Sequence, residues 1–212
     1  MTHHHNPADR PGGAVEAARR RAGGPQVVGR AGAGLDGDAS WAANAEVARH
    51  GLAGERKTGE VLERAVSKAP GTVVLHDLAI PIPGFSANID HALVSGDRVL
   101  LIDSKAWASG FYWTAGGVTR RGLSKFPPAD KRTVELASDR ISTMLERRGT
   151  PAVLERPLVA VWATRGRVSL RWAQMPGGDL VEGRSLGRRA ARFLDEPADR
   201  RIVDALSRLV NG

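Results

Sequence analysis

The chain has 212 residues, of which 42% are apolar and none is cysteine. This length allows one substantial domain, or one domain with a tail, and the apolar content suffices for a core. The lack of cysteine excludes disulfides, thiolate catalysis and sulfur-ligated zinc, so any bound metal should be a hard cation on oxygen ligands. No apolar run reaches the roughly 18 residues of a membrane span, and the N-terminus lacks a signal-peptide pattern. We therefore expect a cytoplasmic protein with no membrane partner.

The net charge of +8 is concentrated in the second half of the chain. Residues 1–50 carry +1 and residues 51–115 carry −1, whereas residues 116–212 hold nineteen basic and eleven acidic side chains. A basic surface beside an acidic segment suits a polyanion such as nucleic acid. An arginine-rich composition that reflects genomic bias would give the same charge without that partner, and charge alone does not decide between the two.

Residues 1–39 are rich in Gly, Ala, Arg and Pro and carry few large apolar side chains. Such a segment buries too little surface to offset its conformational entropy, which predicts a disordered tail. The histidines at positions 3–5 resemble a metal-binding tract or a tag fragment, although an incidental triplet is the simpler interpretation. An ordered domain is predicted over residues 40–212, with Ser40 as the N-cap of its first helix.

A helical pattern continues through ERKTGEVLERAVSKA and ends at Pro70-Gly71. Its apolar stripe lies at i, i+1, i+4 and i+5, beginning at Val61. Glycines at positions 51, 54 and 59 weaken this pattern, which allows two helices with a break between them. Residues 72–78 are then predicted to form a buried strand.

A β-hairpin is predicted over residues 87–105, around the two-residue turn Gly96-Asp97. Glycine at the first position of such a turn is typical of type II′ geometry. If Ser95 pairs with Arg98, the numbers of all opposed residues in the two strands sum to 193. The turn therefore predicts the register of the whole hairpin.

This register places Asp90 directly opposite Asp103. Strand alternation puts Lys105 on the same face as Asp103, so two carboxylates and an ammonium converge on one patch. Like charges on opposed residues, whose Cβ atoms lie roughly 4.5–5.5 Å apart, destabilise a sheet. A divalent metal between the two carboxylates would remove that penalty, so the patch is the candidate catalytic site. An ordinary surface ion pair between Asp103 and Lys105 is the alternative.

The rest of the chain alternates between strand and helix patterns. The predicted elements are a second hairpin around Gly116-Gly117, a helix over residues 129–148, strands over 157–163 and 167–174, and two closing helices near 185–194 and 197–210. This order predicts an α/β fold in which a mixed β-sheet is flanked by helices.

The chain resembles the nuclease-related domain family. The resemblance rests on Gly59-Glu60, NIDH at residues 88–91 and LIDSKAW at residues 101–107, and it covers roughly residues 53–209. An Asp-x-Lys motif is weak by itself, but it becomes specific when an Asp in the paired strand and a Glu on an upstream helix accompany it. The resemblance implies a restriction-endonuclease-like core of the PD-(D/E)xK superfamily.

The resemblance also implies roles for individual residues. Glu60, Asp90, Asp103 and Lys105 would form the catalytic set. Mg²⁺ or Mn²⁺ would be held by Asp90, Asp103, Glu60 and the backbone carbonyl of Ser104. Lys105 would orient the attacking water or neutralise charge developing on phosphorus.

Glu55 competes with Glu60 for the helix position, because it lies in a similar Gly-Glu pair five residues earlier. The apolar stripe that immediately follows Glu60 favours Glu60. His91 alternates to the strand face opposite Asp90, which favours a structural role over general-base chemistry. Trp107 and Trp113 suit either base stacking or core packing.

The implied function is Mg²⁺-dependent hydrolysis of phosphodiester bonds, with DNA as the expected nucleic-acid partner. Two alternatives remain open: a non-catalytic nucleic-acid-binding module, and a scaffold or regulatory domain. The sequence does not determine the oligomeric state. The candidates for phosphate contacts in the basic half are Arg120, Arg121, Lys125, Lys131 and Arg132.

Overall fold

The computed structural model describes residues 26–33, 45–84, 87–130 and 132–211. The helices among them are α1 (Ala45–Val66), α2 (Thr133–Arg147), α3 (Gly183–Phe193) and α4 (Arg200–Ser207), with a 3₁₀ helix (Pro127–Asp130) before α2. The strands are β1 (Val27–Val28), β2 (Val73–Ala79), β3 (Asn88–Ser95), β4 (Arg98–Trp107), β5 (Gly110–Ala115), β6 (Val118–Arg121), β7 (Ser124–Lys125), β8 (Val153–Leu154), β9 (Leu158–Ala163), β10 (Val168–Trp172) and β11 (Asp179–Glu182).

The main sheet is mixed, as the sequence predicts. Its strand order is β1-β2-β3-β4-β9-β11, and β8 pairs with the start of β4. The β2–β3 and β3–β4 pairs are antiparallel, whereas β1–β2, β4–β8, β4–β9 and β9–β11 are parallel. The predicted fold class, an α/β fold with a mixed sheet flanked by helices, is confirmed.

Strand β4 shows why helices cover both faces of this sheet. Its successive side chains point to opposite faces, and both sets are apolar. Leu100 and Ile102 pack with α1 and α3, while Val99 and Leu101 pack with α2 and α4. The central strands are therefore buried on both sides, and the domain is a three-layer α/β/α sandwich.

The β3–β4 hairpin has the predicted register. Its pairs run from Ser95↔Arg98 to His91↔Ile102, and each pair of numbers sums to 193. Gly96 has a φ of +59°, which the first position of a type II′ turn requires. The regular ladder ends one pair before Asp90 and Asp103.

A second, smaller sheet follows directly from β4, with the order β10-β5-β6-β7. The predicted hairpin around Gly116-Gly117 is its centre, because Ala115 pairs with Val118. A buried face of this sheet packs Tyr112 against Trp107 and Phe126, with ring centroids about 5 Å apart. The sequence did not predict the added strands β7 and β10 as parts of one sheet with this hairpin.

Two sequence predictions differ from the structure near the N-terminus. Residues 45–66 form one continuous helix rather than two, because Gly54 and Gly59 lie where the helix packs against other side chains and none of the three helix glycines marks a break. Residues 26–33 belong to the predicted disordered tail, but Val27 and Val28 pair in parallel with Val74 and Leu75 of β2. The other tail residues lie outside the described residues, as do the histidine triplet at 3–5 and Ser40.

Among the described residues, no helix is long and apolar enough to cross a membrane.

Candidate active site

The structure brings Asp90, Asp103 and Lys105 together at the end of the β3–β4 hairpin. Lys105 Nζ forms an ion pair with Asp103 Oδ2. Asp90 Oδ2 accepts a hydrogen bond of 2.6 Å from the Ser104 amide, which lies between the other two residues in β4. The patch predicted from the hairpin register therefore exists.

Asp90 is under electrostatic stress in this arrangement. Burial raises the pKa of its carboxyl well above the ordinary value, and the nearby carboxylates of Asp103 and Glu55 raise it further. The Lys105 ammonium and the Ser104 amide oppose this rise but do not cancel it. The site therefore favours either a proton on Asp90 or an additional positive charge close to it.

Lys105 carries the opposite charge, so the neighbouring carboxylates stabilise its ionised form. Burial alone would lower the pKa of its ammonium, but attraction by Asp103 and Asp90, with the hydrogen bond to Asp103, outweighs burial. The net effect raises the pKa above its ordinary value. Lys105 is therefore held protonated at neutral pH.

Glu60 does not join this site, and its assignment from the sequence is corrected. Its side chain is 66% exposed and lies 3.9 Å from Arg64 on the solvent face of α1. Glu55 instead turns inward, with only 5% of its surface exposed. Five residues of α-helix rotate the side-chain direction by about 140°, so the two glutamates cannot share a face.

Glu55 is held in place by the segment that precedes α1. Its Oε1 accepts a 2.7 Å hydrogen bond from the Gly32 amide. Burial raises the pKa of Glu55, and the charges of Asp77 and Asp103 add to the rise, against the Gly32 hydrogen bond. Glu55, Asp90, Asp103 and Lys105 form one electrostatically coupled set, which we call the carboxylate–lysine cluster.

Asp77 is a further carboxylate beside this cluster that the sequence reasoning missed. The β2–β3 pairs His76↔His91 and Leu78↔Ile89 flank it, which places Asp77 at the position opposite Asp90. Its Oδ1 accepts a 2.8 Å hydrogen bond from Asn88, while its Oδ2 is buried and has no hydrogen-bond partner within the described part of the chain. Its φ of +57° is unusual for a residue other than glycine.

Ser104 supports the cluster from the other face of β4. Its hydroxyl donates to Thr58 at 2.9 Å and lies 3.3 Å from His91 Nε2. Thr58 also accepts a 2.8 Å hydrogen bond from the Trp162 indole and donates to a backbone carbonyl of its own helix. The Ser104 side chain is thus turned away from Asp103 and Lys105, and the role of the Ser104 carbonyl as a metal ligand stays a prediction.

His91 is a structural residue, in agreement with the sequence interpretation. Its Nδ1 lies 2.7 Å from His76 Nδ1, so one ring donates and the other accepts. Burial lowers the pKa of His76 to about 4 and lowers that of His91 well below its ordinary value. Glu63 Oε1 lies 3.3 Å from His76 Nε2, but that nitrogen forms no hydrogen bond with any residue that the structure describes. Both rings are accordingly neutral at pH 7.

The carboxylate oxygens of the cluster suit a hard divalent cation, but they are too few to complete its coordination shell. Within the described residues, no three side chains of His, Cys, Asp or Glu lie together in a way that would hold a metal. Mg²⁺ commonly takes only one or two carboxylates and completes its shell with water and phosphate. The buried Oδ2 of Asp103 contacts the Lys105 ammonium and has no further hydrogen-bond partner among the described residues, so a cation bound by this carboxylate would lie beside Lys105.

The predicted phosphate-binding residues are divided between two places. Arg120, Arg121 and Lys125 lie on β6 and β7 of the second sheet. Arg132 precedes α2 and forms a 2.7 Å ion pair with Glu135, which neutralises part of its charge. Lys131 lies outside the described residues.

The α/β/α sandwich and its carboxylate–lysine cluster define a nuclease-like domain. The sequence model of the nuclease-related domain matches residues 50–161, which is just over half of the chain. The chain therefore belongs to the nuclease-related domain family, and the matched segment contains the whole cluster. Its predicted placement in the PD-(D/E)xK superfamily is consistent with this family. No curated protein and no solved structure matches the chain.

Proposed function

We propose that the protein is a metal-dependent nuclease that hydrolyses phosphodiester bonds in DNA, with Mg²⁺ or Mn²⁺ as its cofactor. The observation that carries the proposal is the carboxylate–lysine cluster. Three acidic residues and one lysine converge from a helix and two adjacent strands in a chain of the nuclease-related domain family. Like charges are not assembled in a buried position for stability alone, because each carboxylate raises the cost of ionising the others.

Asp90 and Asp103 would hold the metal, with the Ser104 carbonyl as a further oxygen donor and Glu55 beside them rather than among the ligands. Once bound, the ion would polarise the scissile phosphate and lower the pKa of an attacking water. Glu55 replaces Glu60 in the proposed catalytic set because Glu55 is buried and its charge acts on Asp90 and Asp103, whereas Glu60 lies on the solvent face of α1. Asp77 lies close enough to Glu55 to add negative charge at the same end of the sheet.

Lys105 would act as a positive charge and hydrogen-bond donor rather than as a general base. Its raised pKa keeps the ammonium protonated, so it has no free lone pair with which to accept a proton. An ammonium fixed by Asp103 is positioned to stabilise negative charge that develops on a phosphoryl group. Glu55, whose pKa is raised by burial, is the better candidate to accept a proton.

A cleavage assay tests this proposal. Wild-type protein, Lys105→Ala and Lys68→Ala should each be incubated with circular, linear duplex and single-stranded DNA in Mg²⁺, Mn²⁺ or EDTA. Lys68 is the matched control, because it is exposed near the end of α1. We expect wild type and Lys68→Ala to cleave only with metal, and Lys105→Ala to be inactive because it lacks the charge-stabilising ammonium.

Metal binding should survive in Lys105→Ala, because an ammonium is not a ligand for a cation. The rise in melting temperature on adding Mg²⁺ measures this binding separately from cleavage. Binding of DNA without cleavage in any metal would favour the non-catalytic binding module. A wild-type protein that neither binds nor cleaves nucleic acid would favour the scaffold alternative.

A further inference from the structure

The second sheet carries a row of aromatic and basic residues across all four of its strands. Trp172 of β10 pairs with Trp113 of β5, Trp113 pairs with Arg120 of β6, and Arg120 pairs with Lys125 of β7. Residues paired in this way project from the same face of a sheet. We call this set the aromatic–cationic row.

The row is open to solvent. Trp172 is 62% exposed, and Phe111, which precedes Trp113 by two residues on β5, is 45% exposed. The opposite face of β5 and β6 is buried, as the fully buried Tyr112 and the 2% exposed Thr119 show. Burial therefore does not explain the tryptophan at position 172 on the outer strand, while Trp113 beside it is partly buried.

The aromatic rings of the row are held in position. The Trp113 indole donates a 2.8 Å hydrogen bond to the Gly122 carbonyl. The Arg120 guanidinium lies 5.8 Å from the centroid of the Trp113 ring, and the Arg171 guanidinium lies 5.3 Å from that of Trp172. The exposed indole of Trp172 and the partly buried indole of Trp113 are thus each accompanied by a cation within cation–π range.

The charge around the row has a single sign. Residues 110–125 and 168–172, which span the four strands of the sheet, include four basic side chains and no aspartate or glutamate. The basic residues are Arg120, Arg121, Lys125 and Arg171. A second copy of the chain would oppose this field with the same sign, which disfavours self-association through this face.

We propose that this face of the second sheet binds single-stranded DNA. Unpaired bases would stack on Trp172 and Trp113, and Arg120 and Lys125 would contact the phosphates. Aromatic side chains in a positively charged groove are the recognised chemistry for binding unpaired strands. A duplex would contact only the cations, because its base faces are already stacked on one another.

The second sheet lies close to the carboxylate–lysine cluster, so a strand bound to the sheet could reach the proposed catalytic site. The parallel β4–β9 pairing continues into β5–β10 through hydrogen bonds from Thr164 to Trp107 and from Gly110 to Arg167. Phe111 follows Lys105 by only six residues, which span at most about 22 Å. A strand held on the row would extend toward the cluster, and this part of the inference rests on the proposed nuclease function.

Binding in EDTA tests the inference without cleavage. Fluorescence anisotropy should compare a labelled single strand, the same sequence as a duplex, and a strand of equal length that lacks bases. We expect the single strand to bind the wild-type protein more tightly than the other two probes. Trp172→Ala should weaken single-strand binding by about fivefold or more, whereas Trp172→Phe should largely retain it, because stacking needs only an aromatic face.

Salt dependence separates stacking from charge. Lys125→Ala should reduce the log–log salt slope for the single strand by about 0.7, as expected for one lost phosphate contact. Trp172→Ala should leave that slope unchanged, and Lys68→Ala should change neither the slope nor the affinity. Equal binding of all three probes, unchanged by Trp172→Ala, would overturn the inference.

Sedimentation tests whether the aromatic–cationic row binds a second copy of the protein instead of DNA. If the wild-type protein self-associates in sedimentation and Trp172→Ala restores the monomer without affecting DNA binding, the inference is wrong. Failure of the nuclease proposal is distinguishable from this result, because single-strand binding in EDTA can persist in a protein that never cleaves. If Trp172→Ala cleaves DNA normally and its affinity for the single strand is unchanged, the nuclease proposal is retained and the proposed role of the aromatic–cationic row is wrong.

Discussion

At the scale of single residues, the two glutamates of α1 offer a matched comparison. Glu55→Gln should lower metal-dependent cleavage about 10- to 100-fold, the usual effect of removing a group that supports a metal site. Glu60→Gln should leave cleavage unchanged within error, since the Glu60 side chain points into solvent. Initial cleavage rates across a Mg²⁺ titration measure both effects. A larger loss in Glu60→Gln than in Glu55→Gln would restore the assignment made from the sequence.

The two glutamates also show which feature of the site the sequence does not determine. Both Gly-Glu pairs lie on one helix, but the apolar stripe follows Glu60 directly and Glu55 only after several polar residues, so the local pattern favours Glu60. The choice depends on which face of α1 docks against β4, and on Gly32, which holds Glu55 from the preceding segment. Neither contact is visible in the local pattern, because both depend on tertiary packing.

Asp90→Asn should stabilise the metal-free protein at neutral pH. The raised pKa of Asp90 means that the folded protein binds a proton more tightly than the unfolded chain does. Stability is therefore lost as pH rises from the ordinary pKa of 3.8 toward the raised value, and an uncharged amide avoids this loss. Denaturant unfolding between pH 4 and 8 in EDTA should show a difference that grows with pH. A difference that is constant or shrinks with pH would contradict the prediction.

At the scale of secondary-structure elements, the glycines of α1 separate helix propensity from packing. A Cβ at Gly59 would lie 2.5 Å from the Ala31 Cβ, whereas a Cβ at Gly51 would meet nothing within 4 Å. Gly51→Ala should therefore stabilise the protein by up to about 1 kcal/mol, the propensity difference between the residues. Gly59→Ala should destabilise it by about 1–3 kcal/mol through overpacking.

Urea unfolding of the two alanine variants measures this difference. Stabilisation by both substitutions would mean that residues 30–33 do not pack against α1 as described. The result also bears on the site, because Gly32 of the same segment donates the hydrogen bond to Glu55.

At the scale of the whole molecule, the sequence predicted those parts of the fold that depend on residues close together in the chain. A two-residue turn determines the β3–β4 register, and alternation then places Asp103 and Lys105 on one face. Asp77 was missed because eight residues, 80–87, separate β2 from β3, and a connection of that length does not determine a register. Strand β1 was missed because two valines in a glycine-rich segment form a strand only where β2 supplies the hydrogen bonds.

The order in which these contacts can form has a consequence for folding. Strands β3 and β4 close across two residues, whereas Ile102 of β4 pairs with Leu158 of β9 across more than fifty. Contacts that are close in sequence form first, because their loop-closure entropy is small. Asp90 and Asp103 are therefore brought together before the rest of the sheet assembles, and Lys105 on the same hairpin supplies the charge that offsets their repulsion.

We accordingly expect Lys105→Ala to refold roughly two- to fivefold more slowly than wild type at neutral pH, the range for a cross-strand charge interaction. Stopped-flow refolding in EDTA measures this rate, with Lys68→Ala as the reference. Equal refolding rates would place the hairpin after the rate-limiting step. Lys105, which the nuclease proposal assigns to charge stabilisation on phosphate, would thus also speed folding. It would do so by reducing the repulsion between Asp90 and Asp103 when the β3–β4 hairpin forms.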